Sequence, residues 1–240
     1  MKIDKVIFIS PMFNAERHLK ELVESTKEQT NSSWEHIIID DMSTDNSYNE
    51  AINLTADDDR YRVVKNTEKK WALRNVVEIA REYQDNENIV IANLDADDCL
   101  CNENTVDILI KNYNRNKINA AWTSHTWDVN GDNVSKSWSD HKIDPYDYFW
   151  VSSHLKTWRA SVMKKICDKN FKDIDNEWFV RGYDQALYLP ILHASKFFKH
   201  IDEVCYLYRI NSDSIKVRDW NEKIQLDTVR LVRARGFIDA

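Results

Sequence analysis

Short apolar runs alternate with segments of helical spacing through the first hundred residues, and no other feature of the chain restricts its fold as much. Runs at 6–9, 37–39, 61–65 and 89–92 read as buried strands. Between them, 16–29 carries Leu19, Leu22 and Val23 on one helical face, and 70–83 carries Leu73, Val76, Val77 and Ala80. Residues 48–55 read as a shorter helix after cap-type residues at 43–47. The alternation predicts an α/β fold with a mostly parallel central sheet flanked by helices. Ligands of such sheets bind beyond the carboxyl ends of the strands.

Those ends are acidic. Asp40 and Asp41 follow the second run, and Asp95, Asp97 and Asp98 follow the fourth. Asp95 and Asp97 are two apart, so on extended backbone they project to the same side. Crowded carboxylates repel unless a cation lies between them. A hard divalent ion, Mg²⁺ or Mn²⁺, suits oxygen ligands and keeps positions free for phosphate oxygens. An acidic helix cap is the plainer reading, but three acids exceed what a cap requires.

The second half is less regular. Helices are expected at 105–113, 160–169 and 184–194, the last with a kink or break at Pro190. Strands are expected at 120–129 and 204–208, with a turn at Asn130-Gly131-Asp132. An amphipathic helix at 220–235 carries Ile224, Val229, Leu231 and Val232. The 33 basic and 40 acidic residues give a net charge of −7, which argues against non-specific nucleic-acid binding. No apolar stretch approaches the ~20 residues of a membrane span. The first residues lack a signal-peptide pattern, so a cytoplasmic location is expected, with peripheral membrane association left open. Cys99 and Cys101 form a lone Cys-x-Cys, read as buried free thiols rather than a zinc site. With three glycines the chain has neither a Walker A loop nor a dinucleotide fingerprint.

Taken in order, the motifs resemble those of the family 2 glycosyltransferases. Ile9-Ser10-Pro11-Met12-Phe13-Asn14 resembles that family's first strand and turn. The segment from Ile37 through Asp40-Asp41-Met42-Ser43-Thr44-Asp45-Asn46-Ser47 resembles its Asp-Asp-x-Ser-x-Asp-x-Ser signature. Arg74-Asn75 resembles its Arg-Asn pair, and Leu94-Asp95-Ala96-Asp97-Asp98 its metal-binding Asp-x-Asp. The stretch 152–166, with His154 and Arg159, resembles the acceptor-side motif. Gly182-Tyr183-Asp184-Gln185 resembles the segment of the catalytic base, and Tyr208-Arg209-Ile210-Asn211-Ser212-Asp213-Ser214 the closing motif. Two departures stand out. Asn66-Thr67-Glu68-Lys69-Lys70-Trp71 lacks the usual glycine, and Asn211 stands where many members have a metal-binding histidine.

The resemblance implies a GT-A (nucleotide-diphospho-sugar transferase) fold and inverting transfer from a UDP-sugar to the hydroxyl of a glycan or other acceptor, dependent on Mn²⁺ or Mg²⁺. It implies one domain over 1–240: a nucleotide-sugar half at 1–100, an acceptor and catalytic half at 101–215, and a C-terminal helix at 216–240. Asp97 is the first choice of metal ligand, with Asp95 on the metal, on a metal-bound water or on the donor ribose. A carboxylate of Asp40 or Asp41 would accept the uracil N3–H, with Pro11 and Phe13 forming the other wall. Arg74 would reach the uracil or the diphosphate. Arg209 would cover the phosphates, while Lys216 and Arg218 read more simply as solvated. Asp184 would be the general base, its pKa raised by partial burial. As a plainer role, Asp184 would cap the helix after it. His154, Arg159 and Tyr183 would face the acceptor, with Trp138, Trp150 and Trp178 as candidates for sugar stacking. Arg218, Arg230, Arg233 and Arg235 read as a solvated helix face in preference to a membrane contact. Two other functions fit less well. A nucleotidyltransferase needs a glycine-rich loop that 10–16 lacks. A non-catalytic nucleotide-sugar or glycan-binding module would have the same fold.

Overall fold

The apolar runs become the centre of one twisted sheet. The computed structural model describes residues 2–131, 135–138, 142–210 and 218–239, with the side chains of the last segment from 222 onward. In chain order the elements are β1 (Lys5–Met12), α1 (Leu19–Lys27), β2 (Trp34–Asp40), α2 (Ser47–Thr55), β3 (Tyr61–Lys65), α3 (Trp71–Glu82) and β4 (Ile89–Asn93). They continue with β5 (Cys99–Leu100), α4 (Thr105–Asn116), β6 (Ala120–Trp127), β7 (Lys156–Arg159), α5 (Tyr183–Ser195), β8 (Phe198–Tyr208) and α6 (Arg218–Arg235). Among the described residues the strands form one eight-stranded sheet in the order β3-β2-β1-β4-β7-β6-β8-β5. β3, β2, β1 and β4 run parallel. β7 is antiparallel to both its neighbours, β6 and β8 are parallel, and β5 closes the edge antiparallel to β8.

The central strands are near-continuous apolar runs because both faces are covered. Ile7 and Ile9 of β1, Ile37 and Ile39 of β2 and Ile91 of β4 pack with α3 and α5 on one face. Their alternates Val6, Phe8, Ile38, Val90 and Ala92 pack with α1, α2 and α4 on the other. A period of two is all this requires, since successive side chains leave a strand on opposite sides. Strand order reverses between β1 and β4, which opens the crevice where sheets of this kind hold ligands.

Several expectations need correction. Residues 160–169 form two 3-10 turns, Ala160–Lys165 and Asp168–Phe171, because Ile166 and Cys167 are extended and break the run. α5 continues through Pro190 without a break. The proline forfeits one hydrogen bond, and burial of every residue from Ala186 to Leu192 holds the helix regardless. β8 begins at Phe198, well before the expected start, and β7 was not expected at all. Arg233 and Arg235 are not a solvated face. Arg233 donates to the carbonyls of Tyr146 and Tyr148, and Arg235 to those of Lys172 and Asn170, which ties α6 to the body. The side chain of Arg218 lies outside the described residues, as do Asn211 and Lys216. Of the cysteines, Cys99 and Cys205 are buried free thiols, whereas Cys101 is exposed. No helix among the described residues is long and apolar enough to cross a membrane.

Candidate active site

A cleft of about 620 Å³ opens at the carboxyl ends of β1, β2 and β4. Pro11, Phe13, Asp41, Asp95, Asp97, His154, Tyr183 and Asp184 all line it, so eight of the expected site residues share one cavity. Asp97 and Asp184, far apart in sequence, both line it.

The acidic turn is held from below. Ser10 on β1 donates to the carbonyl of Leu94 at 2.5 Å and meets His36 of β2 at 2.7 Å. Asp98 closes the turn, its N–H bonding the Asp95 carbonyl at 3.1 Å. The Asp98 side chain is buried, accepting from Tyr206 at 2.6 Å and from the Arg209 N–H at 2.7 Å. Burial, with Asp97 and Asp95 nearby, pushes its carboxyl up to about 8. It anchors the turn to β8. Burial also pushes Asp95 up to about 6. Its carboxylate accepts from Tyr183 and from Asn93. Asp97 differs: its carbonyl takes the Arg209 guanidinium at 2.8 Å, but no described residue donates to its carboxylate.

Among the described residues no group of three or more His, Cys, Asp or Glu side chains is arranged to hold a metal. The candidate donors among the described residues are therefore the Asp95 and Asp97 carboxylates. All-oxygen, incomplete and open to the cleft, this set fits Mg²⁺ or Mn²⁺ completed by water and phosphate, and does not fit zinc.

On the opposite wall, Asp184 lies in the first turn of α5, after Gly182 at φ +65°. A Cβ on Gly182 would come within 3.1 Å of the Gln225 carbonyl on α6, so the backbone needs glycine here twice over. Asp184 is not the N-cap of α5, because the helix starts one residue before it. Its carboxylate instead meets the Lys156 ammonium at 2.5 Å. Burial is the largest influence and would push Asp184 up, but the Lys156 charge and hydrogen bond together with His154 outweigh it and hold the carboxyl below its ordinary value. The raised pKa expected from burial is thus reversed by a cation that the sequence did not reveal.

Asp41 lines the cleft and also organises it. Its two oxygens accept the N–H groups of Lys70 and Trp71 at 2.8 Å, at the start of α3, and Asn66 at 2.8 Å. Burial opposes ionisation, but these donors and Lys69, 3.3 Å away, hold the carboxyl below its usual range. Oδ2 takes both the Trp71 N–H and the Lys69 ammonium, so a ligand donor would share an oxygen that is already engaged.

Several expected residues lie elsewhere. Asp40 is fully buried under the cleft floor, where one oxygen meets the Ser43 N–H. Arg74 points away and pairs with Glu68 and Glu78 on the exposed side of α3. Arg159 sits at the far end of the sheet, donating to the carbonyls of Ile118 and Tyr113. Arg209 braces the acidic turn from outside, between the Asp97 carbonyl and Glu21. Trp138 stacks on Tyr148 and Trp178 on Phe171, and Trp150 packs against the core, so none of the three lines the cleft. The tryptophan in the cleft is Trp71. It opens α3 at φ +61°, a strained conformation for a bulky residue. Lys69 lies 3.1 Å over the Phe13 ring and Arg181 5.2 Å from that of Trp71. Lys69 and Trp71 occupy the stretch where the family's glycine is missing, and that departure was their only sequence signal.

Residues 7–181 match Glycosyl transferase family 2. The chain is 26% identical over 220 residues to the Escherichia coli UDP-Glc:alpha-D-GlcNAc-diphosphoundecaprenol beta-1,3-glucosyltransferase WfgD, covering 90% of this chain and 81% of that protein. Its fold resembles S. aureus TarS 1-349 in complex with UDP-GlcNAc, with a TM-score of 0.63, 18% identity and coverage of 87% of this chain but only 59% of the other. It also resembles the mannosyltransferase PcManGT from Pyrobaculum calidifontis in complex with GDP-Man and Mn²⁺, with a TM-score of 0.65, 14% identity and coverage of 100% and 67%. At such identities the structural likeness speaks for the fold alone, which is the GT-A fold. The match over most of the chain shows that this protein is a glycosyltransferase belonging to family 2.

Proposed function

We propose that the chain transfers a sugar from a UDP-sugar to a hydroxyl of a glycan acceptor with inversion, assisted by Mn²⁺ or Mg²⁺. The observation that carries this reading is the shared cleft: the Asp95 and Asp97 carboxylates on one side and the Lys156-paired Asp184 on the other. The acceptor oxygen attacks the anomeric carbon while the bond to the UDP oxygen breaks. The hydroxyl proton passes to Asp184, which is ionised and so able to take it. Asp41, Pro11 and Phe13 form the walls for the base, with the Asp41 carboxylate as the acceptor for the uracil imide. A wrong base would leave that acceptor unmatched, which gives selectivity. Asp97 and Asp95 would hold the metal, which when bound supplies neutralisation of charge on the departing diphosphate. Tyr183 orients Asp95 at the boundary between the donor and acceptor sides, and His154 lines the cleft beside them.

The UDP donor is supported by the E. coli relative, whose name specifies UDP-Glc, and by the TarS complex with UDP-GlcNAc. The relative's acceptor is lipid-linked, which supports peripheral contact of this chain with a membrane. The test is UDP release from a panel of UDP-sugars, with Mn²⁺ and with a chelator, in the wild type and in Asp184→Asn. Release should need the metal and fall about 100-fold or more in the variant, while UDP binding stays within twofold. Equal turnover by the variant removes Asp184 from the mechanism.

A further inference from the structure

We infer that Lys156 is a positioning residue for the transfer: a fixed internal cation that holds the Asp184 carboxylate at the acceptor side of the cleft. The inference rests on the reading of Asp184 as the base and adds a residue which that reading does not require.

Lys156 has no exposed surface, which is rare for lysine. It starts β7 in the middle of the sheet, paired in register with Asn93 of β4 on one side and Trp122 of β6 on the other. Its backbone is thereby locked, and its ammonium lies at the end of the sheet where β4 delivers the acids. There it contacts Asp184 Oδ1 at 2.5 Å and His154 Nδ1 at 3.2 Å, with the Tyr183 ring 5.8 Å away. His154 is itself buried and stacked on Tyr206 and Tyr208, at 4.7 and 5.1 Å between centroids. Burial and the Lys156 charge keep its imidazole neutral, so Nδ1 accepts from the ammonium. The ammonium is held between a rigid ring and a carboxylate.

A charge buried this way costs several kcal/mol before pairing, and apolar side chains in place of both Lys156 and Asp184 would stabilise the fold as well or better. Fold stability therefore does not account for lysine at this position. Its geometry does, because the ammonium fixes where the Asp184 carboxylate can sit. The other oxygen of Asp184 is left toward the cleft, and the side chain as a whole is 37% exposed. A base swung away by even an ångström loses much of its effect.

The test is a double-mutant cycle on the full chain with Lys156→Met, Asp184→Asn and the pair together, read by UDP-sugar turnover, Mn²⁺-dependent UDP affinity and thermal unfolding. Lys156→Met should lower kcat about 100-fold, with donor KM and UDP affinity within twofold. In the Asp184→Asn background the same change should cost almost nothing further. Each single variant should lower Tm, because it leaves one buried charge alone, and the double variant should regain most of that loss. Lys156→Met with near wild-type kcat, beside an inactive Asp184→Asn, overturns the inference alone. Strictly additive losses of Tm overturn it as well, and need no acceptor to be seen. An active Asp184→Asn overturns the base reading instead.

Discussion

The Tyr183 hydroxyl donates to the Asp95 carboxylate across 88 residues of sequence, joining the helix that carries Asp184 to the turn that carries Asp95, Asp97 and Asp98. The two halves of the cleft are thus mechanically one. Tyr183 was expected on the acceptor side, and it does line the cleft, but its bond is to the donor side. A change at either carboxylate should be felt at the other.

Tyr183→Phe keeps the ring and deletes only the bond to Asp95. The expected result is a loss of about 1–3 kcal/mol in transition-state stabilisation, with Tm changed by no more than a few degrees. Turnover of a UDP-sugar at saturating Mn²⁺ measures it. Unchanged kcat/KM would mean that the bond has no part in catalysis.

Asp97→Asn removes the carboxylate that no described residue satisfies. Calorimetric titration with UDP should show Mn²⁺-enhanced affinity in the wild type and little or none in the variant. Stability should hardly change, since no donor among the described residues is orphaned. Full Mn²⁺ enhancement in Asp97→Asn would place the ion elsewhere.

Asp41→Asn replaces an acceptor by an amide group that must face the N–H donors of Lys70, Trp71 and Asn66. Denaturant unfolding should show a loss of about 2–3 kcal/mol. UDP affinity should also fall in the absence of metal, because the start of α3 is released.

His36 sets an acid limit. Burial lowers its pKa from 6.5 to about 3, so the folded state excludes a proton that the unfolded chain binds below 6.5. Protons bound in the unfolded state exceed those in the native state between pH 3 and pH 6.5, so this contribution to stability is full above 6.5 and is lost as pH falls through that window. The slope approaches about 1.4 kcal/mol per pH unit. Melting curves of the wild type and His36→Gln across that range would show it as a difference in slope. Parallel curves would remove His36 as the cause.

The parallel half of the fold was legible because buried parallel strands and amphipathic helices write their periods into the chain. Ile7 to Ile9, Ile37 to Ile39 and Leu73 to Ala80 announce their own burial, and the acids at Asp41, Asp95 and Asp97 mark strand ends by breaking apolar runs. Those patterns are local, and local pattern is what a sequence displays. Which charges meet is not local. Lys156 and Asp184 are 28 residues apart in sequence, on a four-residue strand without apolar alternation and on a helix turn, and only the stacking of β7 between β4 and β6 makes them neighbours. The same holds for Arg74 and Arg159, whose motif positions suggested ligand contact until the tertiary structure turned one toward Glu78 and the other toward the far end of the sheet. The sequence by itself determined the α/β order and the site's acids. The tertiary structure decided the ionisation and aim of Asp184, because both depend on a buried cation brought in from elsewhere in the chain.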